Sequence, residues 1–441
     1  MKITRSFKFL WVLLMMFALT TTSYSKNVVS ENIPLQDRIF ILSKTYSSIN
    51  LYFAHWEGIP GFSLDSVYKE YLGKVIATDK RFSFDMIMLE FMSKLRNGHS
   101  GFSDRWLWRN FGQPLGFRFR YISGKWVITK SYLKTLRPGD IITRINDMEF
   151  ERFYRSKAKY ISASSDREAR LKLQFNTYLF PEEFTIKTAD GRVIKINRKA
   201  QKIARPEAKT TGKWIEEGKI AYIKIPGFSS PVFEKRAIEY VKSFRGARVL
   251  IIDVRGNGGG TTPGELVDVL QDRPYRFWRE STPVIFGLFK AYENAFKMFG
   301  KHLSKDYKTA LGMFSEFFGN SHLMWTPRFQ KPEKNIFQGK LILLVDRGCA
   351  SACEDFVVPF KDNGRAIIIG ERTMGSSGQP YIYSFNKDIF IAIGTKREYM
   401  PDGSPFEGIG IAPDIKVQPS LENIKKGKDV VLEEAIKVAV K

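Results

Sequence analysis

The chain has 441 residues, of which 43% are hydrophobic and 26% charged. This composition is that of a globular protein and excludes a fibrous or intrinsically disordered protein. The length allows two or three domains. The formal net charge of +24 comes from cations dispersed along the chain. We therefore expect contact with anionic membrane surfaces or acidic substrates, and no binding of nucleic acid.

The first 25 residues have the features of a secretory signal peptide. Three cations lie in the first eight residues, an apolar run covers residues 10–19, and Ser23-Tyr24-Ser25 forms a small-x-small cleavage site. A retained membrane anchor is the alternative, but the apolar run is short for a bilayer span. We expect export across the inner membrane and release into the periplasm.

Residues 26–110 predict a bundle of helices. LQDRIFILSKTYSSINLYFAHW and SLDSVYKEYLGKVI repeat apolar residues every three or four positions, which is the helical period. The helical pattern ends at RNGHSGF, where Gly98 supplies a stop just before His99.

Residues 111–200 predict short strands. GFRFRYI, KWVITKSYL and RPGDIITRIND come first, and EEFTIKTADGRVIKINR follows as a hairpin that turns at Asp190-Gly191. The succession resembles a PDZ domain, in which a peptide adds as a strand while loop amides hold its terminal carboxylate. The resemblance places that loop at Leu115, Gly116 and Phe117. An ordinary small β-rich domain is the alternative.

Residues 201–441 predict an α/β domain. GKIAYIKIPGF, ARVLIIDVRGNGGG, GKLILLVDRG and GRAIIIGERT are apolar, β-branched runs that indicate buried, largely parallel strands joined by helices. Residues 272–338 form an aromatic, basic insertion with helical spacing, which we expect to cover the mouth of a site. The whole chain thus predicts an α+β multidomain protein.

One serine in the last segment has two interpretations. Ser351 with Glu354 fits the capping box that starts a helix, or Ser351 is a nucleophile. Cys349 and Cys353 flank it, at a spacing that on a helix is at the limit of disulfide geometry. Export permits a disulfide between them without requiring one, and we expect two buried thiols.

Glycines follow one of the buried strands in DVRGNGGG. Such a turn lets backbone N–H groups point into a cleft near a helix start, which suits a developing negative charge. No Gly-Lys-Ser/Thr follows, so nucleotide binding is not supported. No cluster has metal-ligand spacing, and we expect neither a metal nor another cofactor.

Four motifs in order carry a family resemblance. DVRGNGGG, CASACEDF, GERTMGSSGQ and PDGSPFEGIGIAPDI, behind a PDZ-like segment, resemble the tail-specific (C-terminal processing) serine peptidase family. The resemblance implies a crotonase-like core, Ser351 as nucleophile, and oxyanion amides at Gly259 and Ala352. The chain departs from the best-known branch at Ser376, where that branch has its lysine base.

The tricorn-type branch of the family offers another base. The resemblance implies that His99 is the base and that Glu407 orients it, because a neutral imidazole suits proton abstraction and a carboxylate fixes its tautomer. In that branch a further serine precedes the histidine, whereas this chain has Gly98 there. Ser376 and Ser100 are the candidates to replace it.

These observations predict an exported serine endopeptidase that acts on polypeptides, taken by their C-terminus, through a Ser351–His99–Glu407 triad. A catalytically inactive binder of peptides or apolar ligands is the alternative, because interphotoreceptor retinoid-binding proteins resemble the same core. Thioester chemistry on a crotonase fold is a third interpretation, which export disfavours because coenzyme A is cytoplasmic.

Overall fold

A computed structural model describes residues 32–200, 207–283 and 322–441, together with Gly287 and Ala291. The predicted signal peptide lies outside the described residues, as do the two predicted helical stretches of the insertion, 289–303 and 307–319, apart from Ala291. Within the described ranges, no helix combines the length and apolar character needed to cross a membrane.

The N-terminal part is helical, as predicted. Ser63 accepts a hydrogen bond from the Ser66 N–H and so caps the second helix, and Asp104 caps the fourth through the Trp106 N–H. One short strand intervenes after the turn that carries His99. The elements are α1 (Leu35–Tyr52), a 3₁₀ turn (Trp56–Gly58), α2 (Leu64–Ala77), α3 (Arg81–Ser93), β1 (Gly101–Asp104) and α4 (Arg105–Phe111).

The next part is an antiparallel sheet with two helices and a 3₁₀ turn. Its strand order is β2-β3-β4-β6-β7, so β2 is an edge strand, and the predicted hairpin with Gly191 at a φ of 88° is confirmed as β6–β7. One hydrophobic cluster runs through this sheet and the N-terminal helices. The elements are β2 (Phe117–Ile122), β3 (Lys125–Ser131), β4 (Ile141–Ile145), β5 (Met148–Glu149), α5 (Phe150–Ala158), α6 (Asp166–Leu173), a 3₁₀ turn (Thr177–Leu179), β6 (Glu183–Thr188) and β7 (Val193–Asn197).

The last part is an α/β layer, and the predicted buried parallel strands are confirmed. Its six strands lie in the order β18-β14-β13-β10-β9-β8, and all neighbours are parallel except β8 and β9. Apolar clusters cover both faces, which explains the continuous apolar runs. The elements are β8 (Thr211–Glu216), β9 (Ile220–Lys224), α7 (Pro231–Ser243), β10 (Val249–Asp253), α8 (Gly264–Leu270), β11 (Arg279–Pro283), β12 (His322–Trp325), β13 (Lys340–Val345), α9 (Ala352–Asn363), β14 (Ala366–Gly370), β15 (Pro380–Ser384), β16 (Ile389–Gly394), β17 (Arg397–Tyr399), β18 (Ile415–Lys416), α10 (Leu421–Lys425) and α11 (Val430–Val440).

Two small sheets connect distant parts of the chain. β1 pairs antiparallel with β16, and this pairing places the turn before β1, which contains His99, beside the α/β layer. β11 pairs with β12 and β17, so the described parts of the predicted helical insertion at 272–338 contain two strands. The molecule is thus a mixed α+β protein of several parts, as the sequence predicted.

Candidate active site

Ser351 lies at a sharp turn between β13 and α9. Its φ of 56° is in the left-handed region, which non-glycine residues enter rarely and mostly at functional positions. Its side chain makes no capping hydrogen bond, and Glu354 instead accepts hydrogen bonds from the Thr373 hydroxyl and the Gly375 N–H at 2.6 and 2.7 Å. The capping-box interpretation is therefore wrong.

A disulfide encloses this turn. Cys349 and Cys353 are bonded to each other and fully buried, so the expectation of two free thiols is wrong. That expectation assumed both cysteines on one helix, but α9 begins only at Ala352. The left-handed turn at Ser351 brings the two Cα atoms to 5.4 Å, which is within the usual disulfide range.

His99 reaches Ser351 from the other end of the chain. Its Nε2 lies 3.2 Å from the Ser351 Oγ, and its Nδ1 lies 3.0 Å from the Ser376 Oγ. Burial lowers the pKa of His99 to about 3, and the positive charges of Lys172 and Lys396 act in the same direction. The imidazole is therefore neutral at physiological pH and one of its nitrogens is available as an acceptor.

Glu407 makes no hydrogen bond to the imidazole, in contrast to the predicted triad. Its Oε1 accepts hydrogen bonds from the Ser164 hydroxyl at 2.6 Å and the Asn97 amide at 3.2 Å, and its Oε2 has no partner among the described residues. Burial raises the pKa of Glu407 to about 8, although the Ser164 hydrogen bond opposes this. The carboxyl is thus mainly protonated at neutral pH, and Ser376 takes the place at Nδ1.

The Ser376 hydroxyl fills the space beside Gly98. A Cβ at position 98 would lie 2.4 Å from the Ser376 Oγ and 2.2 Å from a Glu168 oxygen, so a serine does not fit there without rearrangement. The Ser376 backbone is anchored, because its N–H donates to Glu354 and its carbonyl accepts the Ser351 N–H at 2.9 Å. Of the two candidates for the missing serine, the structure brings Ser376 to the imidazole.

Ser100 has a different position. Its hydroxyl donates to the Asn97 Oδ1 at 2.8 Å and accepts the Gly394 N–H at 2.9 Å, which ties the turn before β1 to β16. It makes no hydrogen bond to the His99 ring.

Two residues that the sequence interpretation missed hold the His99 turn. The Asn97 Oδ1 accepts the His99 N–H at 3.1 Å, and the Ser164 hydroxyl accepts the Gly98 N–H at 2.9 Å. Both side chains also bind Glu407. An Asn two residues before the histidine is a local signal for such a turn, but nothing in the sequence connects Ser164 to it.

The glycine turn passes directly over the nucleophile. A Cβ at Gly259 would lie 2.7 Å from the Ser351 Cβ and 2.9 Å from the Ala352 nitrogen, and the φ of Gly259 is 90°. The Gly259 N–H donates to the Asn257 Oδ1 at 2.9 Å. The Ala352 N–H, in the first turn of α9, has no hydrogen-bond acceptor within the described ranges.

The predicted carboxylate-binding loop lies at the start of β2. Leu115 and Phe117 are buried, and Gly116, at a φ of 85°, accepts the Tyr132 N–H. Further along β2, the Gln174 side chain accepts the Phe119 N–H at 3.3 Å. In the part of the chain that the structure describes, no three His, Cys, Asp or Glu side chains form a group able to hold a metal ion.

Comparison with known proteins points to one peptidase family. The family model of Peptidase family S41 matches residues 219–417. Over 95 residues the chain is 36% identical to a carboxy-terminal-processing protease of Bartonella bacilliformis, which is 22% of each protein. Over 205 residues it is 24% identical to the chloroplastic C-terminal processing peptidase of Tetradesmus obliquus, which is 46% of this chain and 36% of that protein.

A solved structure shares the fold over most of the chain. Mature CPAF in complex with lactacystin matches with a TM-score of 0.66 over 92% of this chain and 98% of that one, at 16% identity. The family model and the two named relatives confirm the resemblance to the C-terminal processing peptidases. In sequence, the matches span only 22% and 36% of the length of these two relatives.

Proposed function

We propose that the protein is a serine endopeptidase that hydrolyses peptide bonds of polypeptides, because residues 219–417 match the model of peptidase family S41. The observation that carries the proposal is the 3.2 Å approach of the His99 Nε2 to the Ser351 Oγ in a buried site beneath a glycine turn. A hydroxyl within hydrogen-bond reach of a neutral imidazole is the arrangement that activates a serine nucleophile.

Each side chain has a role in this mechanism. His99 accepts the Ser351 proton through Nε2 as the hydroxyl attacks the carbonyl, and its Nδ1–H donates to the Ser376 Oγ, which fixes the required tautomer. The Ala352 N–H has no acceptor and serves the oxyanion. We propose the Gly259 N–H as the second donor to the oxyanion. This N–H would then be shared between the Asn257 Oδ1 and the oxyanion.

Glu407 is a positioning residue in this proposal. It holds Asn97 and Ser164, which in turn hold the backbone of His99 and Gly98. The imidazolium formed during attack therefore faces a hydroxyl dipole from Ser376 and not a carboxylate, in contrast to a Ser–His–Glu triad.

Substrate capture and location complete the proposal. The sheet of residues 117–197 acts as the PDZ-like domain that receives a polypeptide by its C-terminus, in line with the C-terminal processing function in the names of the relatives. The N-terminal signal predicts export, and we propose a periplasmic protein of crotonase-like core that uses no cofactor.

One observation favours a second candidate function. No carboxylate contacts His99, and burial makes its imidazole a weak base at rest, which is compatible with an inactive peptide-binding protein on the same scaffold. Such a protein would bind polypeptides without attacking them.

A fluorophosphonate probe separates the two functions. We expect one mole of label per mole of protein on Ser351, none in Ser351→Ala, and labelling slowed at least about tenfold in His99→Ala. Ser377→Ala is the matched control, because this neighbouring serine bonds Asp355 and not the imidazole. A folded wild-type protein that takes no label and cleaves no unfolded polypeptide would be the binder.

A further inference from the structure

A cavity of about 260 Å³ lies between the antiparallel sheet and the α/β layer. Edge strand β2 and helix α6 form two of its sides, and the turn that leads to Ser351 forms a third. Four arginines line it together with Tyr121, Asp166 and Leu171: Arg120, Arg167, Arg170 and Arg347. We call it the arginine cavity.

The acidic partners of these arginines are unevenly distributed. Arg170 is neutralised by Glu151 and Asp166. Arg120 and Arg347, in contrast, both contact the carboxylate of Glu371, Asp346 approaches Arg120 at 3.6 Å, and Arg347 also donates to the Tyr121 carbonyl. The Nε–H of Arg120 has no acceptor among the described residues and is therefore available to an anion.

No carboxylate among the described residues forms a hydrogen bond or ion pair with Arg167. Its guanidinium donates only to backbone carbonyls, those of residues 372–374 and of Ile409. Burial lowers the pKa of Arg167, and the charges of Arg347 and Arg372 act in the same direction, whereas those of Glu354 and Glu371 oppose it. An oxyanion in the cavity would add a counter-charge that is hydrogen-bonded directly to the remaining N–H groups of Arg167.

We propose that the arginine cavity is an oxyanion-binding site that takes an acidic side chain of a polypeptide entering between β2 and α6. Arg120 lies three residues beyond Phe117, which is about 10 Å along an extended strand. A substrate whose end lies at the predicted loop of residues 115–117 would thus bring a residue a few positions upstream to the cavity. In this respect the proposal rests on the proposed function and names an acidic residue as a feature of its substrates.

The contacts of Arg167 connect the cavity to the catalytic residues. The carbonyls that it holds belong to the segment that ends at Ser376 and to the segment that follows Glu407. Arg120 and Arg347 reach the same segment through Glu371. An anion that holds Arg167 in place therefore also stabilises the loop whose hydroxyl orients His99.

Binding is tested in the full chain with Ser351→Ala, so that no hydrolysis is needed. A short fluorescein-labelled peptide rich in glutamate is compared by fluorescence anisotropy with the same peptide carrying glutamine. We expect the glutamate peptide to bind at least about tenfold more tightly, as charge-assisted hydrogen bonds to arginine imply, and inorganic phosphate to compete with it. Equal affinity for the two peptides would overturn the proposal even if wild-type protein cleaves both.

Variants locate the site. Arg167→Gln and Arg120→Gln should each weaken binding of the glutamate peptide about tenfold or more. Arg372→Gln is the matched control, because it removes the same charge and a hydrogen bond to the Gly410 carbonyl but does not line the cavity. We expect less than about a threefold change there. A similar loss in all three variants, or binding of phosphate without binding of the peptide, would exclude an acidic peptide site in the cavity.

If Arg167→Gln fails to fold through the loss of its carbonyl contacts, Arg120→Gln carries the test alone. Cleavage by the enzyme with its nucleophile intact gives a separate measurement. In this measurement we expect a higher KM for the glutamine peptide than for the glutamate peptide. If the proposed function is wrong, neither peptide is cleaved, but the difference in their binding affinity remains.

Discussion

Replacement of Glu407 by glutamine distinguishes the geometry of this site from a Ser–His–Glu triad. In a triad whose carboxylate contacts the imidazole, an amide replacement leaves the shape but favours the wrong tautomer and lowers kcat about 10⁴-fold. Here the Glu407 Oε1 accepts from Ser164 and Asn97, and a glutamine oxygen accepts both bonds equally well. We therefore expect kcat of Glu407→Gln to stay within about tenfold of wild type.

The same variant changes the pH dependence of stability in a defined direction. Burial raises the pKa of Glu407 from 4.5 in the unfolded chain to about 8 in the folded one. Its contribution to stability is thus fully present below pH 4.5 and is lost as the pH rises through 8, by up to about 5 kcal/mol. Glutamine does not titrate, so its variant lacks this loss.

Two consequences can be measured on one set of samples. At pH 5 the new amide N–H groups, placed where Oε2 has no partner, should destabilise Glu407→Gln by about 1–3 kcal/mol in urea unfolding. At pH 9 the difference should shrink or reverse. A kcat loss near 10⁴-fold, or a difference in unfolding free energy that is the same at both pH values, would refute the assignment of Glu407 as a protonated positioning residue.

Three further predictions concern the nucleophile and its base. Ser376→Ala should lower kcat by about 10- to 100-fold with little change in KM, because it removes the hydrogen bond to the imidazole Nδ1, and Ser377→Ala should not. Gly259→Ala should abolish labelling by a fluorophosphonate, because its Cβ would lie 2.7 Å from the Ser351 Cβ. Gly256→Ala should keep the labelling, because Gly256 has a similar positive φ of 74° but open space around it, so this control separates the clash from the backbone strain. The acid limb of kcat/KM should lie below pH 5, because the pKa of His99 is about 3, and a limb near 6.5 would contradict this.

Local patterns in the sequence were enough to predict most of the elements. The apolar runs of β9, β10, β13 and β14 mark buried parallel strands, and Asp190-Gly191 marks a hairpin, because each depends on residues close in the chain. The approach of His99 to Ser351 followed only from the family resemblance. It depends on β1 pairing with β16, almost 300 residues away, for which the sequence contains no local signal.

Two predictions about the site differ from the structure, one because of the backbone path at a turn and the other because of intervening side chains. The bond between Cys349 and Cys353 requires the left-handed conformation of Ser351, which a helix-based count of spacing does not include. The assignment of Glu407 to the imidazole failed because two intervening polar side chains, Asn97 and Ser164, take its oxygen. Such contacts join segments that are far apart in the sequence, so no local pattern predicts them.

The chain departs from the family pattern at Gly98 and at Ser376, and these two departures depend on each other. The Ser376 hydroxyl contacts the His99 Nδ1 in place of a hydroxyl from residue 98. It occupies the space that a side chain at position 98 would need. Since Glu168 also borders that space, Gly98→Ser should clash and displace the hydroxyl of Ser376 rather than restore a second one. The orientation of the base thus depends on the 371–376 loop, and Arg167 holds that loop through its carbonyls.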